Sequence, residues 1–475
     1  MRSPRVSLLL ALLLSASSTI VGCDDPVETN EGGGGATSVV TTGAGGTGGG
    51  QGGEGGGAAP LVWGPCDTSD WVDGYPKPVA GVECTTVDVP IDYAAPDGET
   101  MPLRVARQVS KSHPTGKAVF NLAGGPGGGA VTQSGIIPLV QPELLDDFDL
   151  VYVDQRGTGG SNYLGCPGGY PETQQDWEDC AAEYATSPDL AHYSTVEAAH
   201  DVDFVRGRLG YDRIHVRGGS YGTRSGLEYL RQHPDHIAAL ILDGLAPPDM
   251  DLFGEDVKML DRGVTMLVDD CTGDPACLDV SPALLDDLVA VRAARAASPR
   301  PITVNGSPYV EDEELFLVFL QQFLYTARAR YQVPRAIHAA ALGDPSGWYE
   351  IASDLFGVTI VDAGGGNLAA PAYRVPAERR VPARAQEYVA PGLFATIMCS
   401  EFLPNSAGIP ALEASAAEQT WPSTSILDVA RACAAWNVAP LSRDLRAPVS
   451  SDVPVLLLSG EIDLNTLAEW GDHTL

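Results

Sequence analysis

The stretch that most limits how this chain can fold is RIHVRGGSYGTRSGLEYLRQH at 213–233. A short β-rich run feeds straight into Gly218-Gly219-Ser220-Tyr221-Gly222, and a helical pattern follows and stops at Pro234. A strand that becomes a helix within so few residues has to turn sharply, which glycine permits. Four further runs read as buried strands: 117–122 (KAVFNL), 148–154 (FDLVYVD), 237–243 (IAALILD) and 453–459 (VPVLLLS). They are apolar throughout rather than alternating, and each ends at glycine or at a polar turn, as parallel strands covered on both faces do. Between them, 195–209 sets Val196, Ala199, Val202, Phe204, Val205 and Leu209 largely on one helical face, with Ser194 or Thr195 as its cap. This alternation predicts an α/β architecture, a mostly parallel sheet with right-handed crossovers.

Residues 250 to about 445 differ. Ala- and Leu-rich helical stretches such as 315–328 and 334–342 dominate there, which predicts a mainly helical lid over the sheet's C-terminal edge. No repeat of fixed period is visible. The chain therefore divides into a leader (1–22), a tether (23–60), a first core segment (61–249), the lid (250–445) and a second core segment (446–475).

At the N terminus, Arg2 and Arg5 precede an apolar run, 6–14, too short to serve as a permanent bilayer span. Ile20-Val21-Gly22-Cys23 follows and resembles the lipobox of bacterial lipoprotein signal peptides. The resemblance implies cleavage before Cys23, lipidation of its sulfur and a place outside the cytoplasm. The Gly- and Thr-rich segment to residue 60 cannot bury enough to offset its ordering entropy. As a flexible coil it reaches roughly 35 Å, enough to hold a domain clear of a membrane. A formal charge of −33 argues against nucleic acid as a partner and against a polybasic grip on lipid.

Nine cysteines less Cys23 leave eight. They fall into sequence-close couples, Cys66/Cys84, Cys166/Cys180, Cys271/Cys277 and Cys399/Cys433. In an oxidising compartment this predicts four local disulfides, although eight cysteines allow 105 connectivities. With no C-x-x-C pair and no histidine cluster in the sequence, neither a metal nor another cofactor is expected.

Ser220 stands where a G-x-S-x-G motif places a nucleophile, exposed on the turn and at the N-terminal end of a helix that favours developing negative charge. An oxyanion then needs two converging N–H donors. The residue after the nucleophile, Tyr221, supplies one; the loop AGGPGGG at 123–129 supplies the second, with Gly125 preferred over Gly124.

NLAGGPGG, VYVDQRGTGGS, STVEAAHDVDFVRGRLG, VRGGSYGTRSGLEYLRQHPDHIAALILDG and PVLLLSGEIDLNT together resemble the secreted α/β-hydrolases related to tripeptidyl aminopeptidases and proline iminopeptidases. The resemblance covers roughly 85–250 and 395–470. It implies the α/β-hydrolase fold and serine exopeptidase chemistry on peptides with a free N terminus, with esterase chemistry as the alternative at the same site. It makes Asp463, in SGEIDLNT, the acid that orients a histidine; Thr466 reads first as a helix cap, with bonding to the same loop or facing the site as the lesser alternatives. It makes Glu401, in TIMCSEF, the anion for the substrate's ammonium, held in place by a disulfide at Cys399. Arg156 is expected to brace loops.

The base is the gap. Among eight histidines only His473 follows Asp463. If 466–475 is helical, its rise of 1.5 Å per residue carries His473 ~10 Å or more from the acid. His113, His192, His200, His215, His233, His236 and His338 come earlier and read as structural. The expectation is that the base is not in this chain, which stops before the last strand and its histidine, or that the protein is a non-catalytic binding lipoprotein.

Overall fold

The computed structural model describes residues 60–67, 81–167, 169–171, 173–186, 189–363 and 389–474. The leader, Cys23 and the tether up to residue 59 lie outside them.

Seven strands form the main sheet, in the order β1-β2-β4-β3-β5-β6-β10. The five runs expected as buried strands are β3 (Ala118–Leu122), β4 (Asp149–Val153), β5 (Ile214–Gly219), β6 (Ile237–Asp243) and β10 (Val455–Leu458), and every pairing among them is parallel. An antiparallel hairpin, β1 (Val82–Pro90) and β2 (Thr100–Gln108), adds one flank, with β2 antiparallel to β4. Its strands alternate buried and exposed residues, so a search for continuous apolar runs passes over them. At the opposite edge, Val455, Leu456 and Leu458 of β10 are exposed.

Helix α1 (Thr195–Leu209) takes Ser194 as its N-cap, the hydroxyl accepting from the Glu197 N–H, and ends on left-handed Gly210. Helix α2 (Tyr221–Gln232) follows β5 with no connecting loop. The sheet and these helices share one apolar core, which includes Phe120, Val151, Val205, Val216, Tyr229 and Leu242.

The region expected as a helical lid is more mixed. Its helices include α3 (Leu252–Gly273), α4 (Glu313–Tyr325), α5 (Pro391–Ile397) and α6 (Ser425–Ala432). It also carries a three-stranded antiparallel sheet, β8-β7-β9, from β7 (Arg300–Val304), β8 (Ser307–Glu311) and β9 (Ile360–Asp362). Asn305 and Gly306, both with positive φ, make the β7–β8 turn. A second core, with Phe316, Phe319, Phe323 and Trp348 near its middle, underlies this region. Helix α3 belongs to both cores, giving Phe253 and Val257 to the first and Leu260, Val264 and Leu267 to the second.

Four disulfides form in the sequence-close pairing: Cys66–Cys84, Cys166–Cys180, Cys271–Cys277 and Cys399–Cys433.

Candidate active site

Ser220 is the N-cap of α2 and holds φ 54° and ψ −127°. A positive φ on a non-glycine residue is costly and persists only where the surroundings enforce it. They do so here. The Ser220 N–H donates to the Asp243 carbonyl at the end of β6 (2.9 Å). The flanking glycines let the turn close: a Cβ on Gly218 would lie 2.2 Å from the Gly222 carbonyl oxygen, and one on Gly222 would lie 2.4 Å from that of Leu122. Helix α2 therefore starts hard against the end of β3.

The glycine loop after β3 lies over the serine. A Cβ on Gly124 would lie 3.2 Å from Ser220 Cβ and 3.6 Å from its Oγ. Gly125, with φ of 123°, borders the same cavity of about 110 Å³ as Ser220 and Tyr221. Tyr221 opens α2, and first-turn amides have no acceptor within their own helix. The structure thus brings together the expected nucleophile and both expected oxyanion donors. The Tyr221 ring points away into protein. Its hydroxyl bonds to Thr195 Oγ1 (2.7 Å) and Gln155 Nε2 (3.2 Å), and burial, then the Glu401 charge, pushes the phenol up to about 12.

Buried charges hold the surrounding loops. The Asp154 carboxylate, at the end of β4, accepts the N–H groups of Val131 (2.8 Å) and Gly160 (2.9 Å). Arg156, fully buried, makes a two-pronged bond to Asp201 (2.6 and 2.7 Å) and donates to the carbonyls of Ile91, His192 and Pro90. Its role is to brace these loops.

Asp463 lies in the loop after β10, beside Gly244 after β6. Its Oδ1 accepts the N–H groups of Asn465 and Thr466 (both 2.9 Å), and its Oδ2 accepts from Thr466 Oγ1 (2.6 Å). Asn465 and Thr466 line the Ser220 cavity, so the acid sits one hydrogen bond behind the cavity wall.

None of the eight histidines lines that cavity. His113 is paired with Asp149, His200 with His233, His236 with Asp203, His338 with Asp287 and His473 with Asp249. The His192 carbonyl serves Arg156, and His215 packs edge-on against Phe148. His473, in α7 (Ala468–Thr474), is more than half exposed.

Glu401 requires a correction to the sequence expectation. It is fully buried in a π-helical turn, Met398–Phe402, following α5, and both its oxygens are taken. Oε1 accepts the Thr195 N–H (2.8 Å); Oε2 accepts from Thr195 Oγ1 (2.7 Å) and Arg224 Nε (3.0 Å). Arg224 is itself buried, over the Phe402 ring. A carboxylate closed into an ion pair is not free to receive a substrate's ammonium. The sequence reading missed the acid that does face the cavity, Asp256 on α3. In the sequence it looks like any acidic residue of an amphipathic helix.

Residues 117–269 match the α/β-hydrolase fold family, and the chain has that fold: a mostly parallel sheet with a strained serine at the strand–helix junction. Its sequence is similar to those of serine peptidases and an esterase. Serine protease Hip1 of Mycobacterium tuberculosis is 27% identical over 290 residues, 52% of this chain and 55% of that one. Tripeptidyl aminopeptidase of Streptomyces lividans is 29% identical over 220 residues, covering 41% and 40%. Carboxylesterase B of M. tuberculosis is 28% identical over 222 residues, covering 41% and 42%. The chain spans about half the length, or less, of these curated relatives.

Proposed function

We propose that this protein is an extracytoplasmic serine hydrolase that releases short peptides from free N termini through an acyl-enzyme. Ser220 Oγ attacks the scissile carbonyl carbon. As the C–O bond forms, the N–H groups of Tyr221 and Gly125 hold the charge on the carbonyl oxygen. The C–N bond then breaks, the serine's proton leaves with the amine, and water hydrolyses the ester. Asp463, behind the loop of Asn465 and Thr466, is the acid that would orient the histidine base taking the serine's proton, a base that none of the eight histidines supplies from the position it holds. The observation that carries this reading is the strained Ser220 beside Gly124, Gly125 and the start of α2, lining a cavity. Kinship with a serine protease and a tripeptidyl aminopeptidase supports peptides as substrates; kinship with a carboxylesterase keeps esters as the alternative. Lipidation at Cys23 with a tether to residue 60 would fix the enzyme at a membrane. Among the described residues no helix is long and apolar enough to cross one.

A second reading is a non-catalytic binding protein that uses the cavity without turnover. It is favoured by the eight histidines, all of which lie outside the cavity wall. Fluorophosphonate labelling separates the two. Rapid labelling abolished by Ser220→Ala establishes an activated serine and rejects the binding-only reading. Absence of labelling, with peptide binding intact, rejects catalysis by this chain. Trialanine amides against short-chain esters then set the substrate class, and turnover of esters alone would reject the aminopeptidase assignment.

A further inference from the structure

The Ser220 cavity does not end at the serine. It shares Asp256, Phe394 and Ile426 with a second hollow of about 260 Å³ under the lid helices. The second hollow is walled by Tyr170, Trp177, Leu317 and Tyr325 among others, and carries two more carboxylates, Glu314 and Asp428.

Of these three acids only Asp256 borders both spaces. Asp428 is paired with Arg431 (3.0 Å). Asp256 has a different setting. Among the described residues its hydrogen-bond partner is a neutral hydroxyl, Ser423 Oγ, at 3.1 Å, and no lysine or arginine bonds to it. Several buried carboxylates of this protein have a cation at hand: Arg156 for Asp201, Arg224 for Glu401 and Arg295 for Glu311. A carboxylate largely withdrawn from water without a cation is costly to ionise; Asp256 is only partly exposed, and desolvation pushes it up to about 7. Tyr325, on α4, is a titratable group close to it. The missing element is a positive charge, and Asp256 lines both the Ser220 cavity and the hollow beside it.

We infer that Asp256 is the anion that receives the primary ammonium of a substrate's free N terminus, at the junction of the two hollows, so that the first residues run from Asp256 towards Ser220 and the side chains enter the aromatic-walled space. This rests on the reading of the Ser220 cavity as a peptide site. An ammonium has three donors, and the Asp256 carboxylate with the Ser423 hydroxyl bonded to it offers acceptors for them, with Tyr325 lining the same hollow. The aromatic walls favour a cation further. Acetylation of the amine would remove its charge and leave Asp256 without a cation.

The test is calorimetric titration of the full chain, in a Ser220→Ala background that prevents turnover, with trialanine amide and with its N-acetyl form at pH 8. The free amine should bind at least 10-fold more tightly. Asp256→Asn should bring that ratio below about 2-fold. Asp256→Glu, which keeps the charge, should retain a preference for the free amine, and Asp428→Asn should leave the ratio unchanged. Equal binding of both peptides to the parent, or a ratio that survives Asp256→Asn in a variant with a normal thermal transition, would overturn the assignment of Asp256 while leaving the peptide reading intact. If neither peptide binds, the peptide reading falls, and this assignment with it.

Discussion

Asp256 and Glu401 show how the same residue type takes opposite roles. Glu401 sits beside a disulfide cysteine in a recognisable stretch, yet its partners Thr195 and Arg224 come from 206 and 177 residues away. That distance in sequence hid the ion pair. Asp256 has no such pair, and its protonation should be visible in stability. Burial raises its folded-state pKa from 3.8 to about 7, with Tyr325 as a titratable neighbour. Between these values the unfolded chain gives up a proton that the folded chain keeps, so this group lowers stability as pH rises from about 4 to about 7, and then no further. The full difference is at most ~4 kcal/mol. Asp256→Asn should therefore be near neutral at pH 4 and stabilising by about 1–3 kcal/mol at pH 8 without peptide. Urea unfolding at the two pH values measures this, and an effect independent of pH would refute the desolvated, unpaired setting of the carboxyl.

Elements that depend on local pattern were readable in advance. The five parallel strands are largely apolar; β3 and β4 are covered on both faces, whereas β10 at the sheet edge leaves most of its side chains exposed, and α1 announces its start with Ser194 and its end with Gly210. The flanking hairpin β1–β2 was not read, since its strands alternate, nor was the small lid sheet. A signal for the latter was present in Asn305-Gly306, a pair suited to a two-residue hairpin turn. The elbow makes its own prediction. A Cβ on Gly222 meets the carbonyl oxygens of Leu122 (2.4 Å) and Ala123 (3.0 Å), which are backbone and cannot yield cheaply. Gly222→Ala should cost about 3 kcal/mol and weaken labelling at Ser220. Gly207→Ala, in α1 with open space around it, should instead add ~0.5–1 kcal/mol. Thermal unfolding of the two variants tests the contrast, and equal shifts would refute it.

At the scale of the whole molecule, the site exists because two cores meet. The sheet supplies Ser220 and the glycine loop; the lid layers supply Asp256, Phe394, Met398, Phe402 and Ile426. Helix α3 is packed into both cores. The Cys399–Cys433 disulfide joins the π-helical turn to the end of α6 across 34 residues, and both segments wall the cavity. Closing a loop of that size stabilises by about 4 kcal/mol in the chain-entropy account. Replacing both cysteines by serine should lower stability by about 2–4 kcal/mol, read as a drop in Tm, and should weaken trialanine amide binding to the Ser220→Ala protein. Unchanged affinity despite a lowered Tm would show that the two walls hold their places without the bridge.

Local chemistry in the sequence determined the strand–elbow–helix unit with Ser220 on its turn, the glycine loop at 123–129 beside it and the four nearest-neighbour disulfides, because each depends on residues close together in the chain. Tertiary structure alone decided which acid faces the cavity, which acid is neutralised by arginine, and that the eight histidines all lie away from Ser220. Those outcomes depend on burial and on partners far apart in sequence, and a buried charge takes its role from whichever opposite charge the fold brings to it.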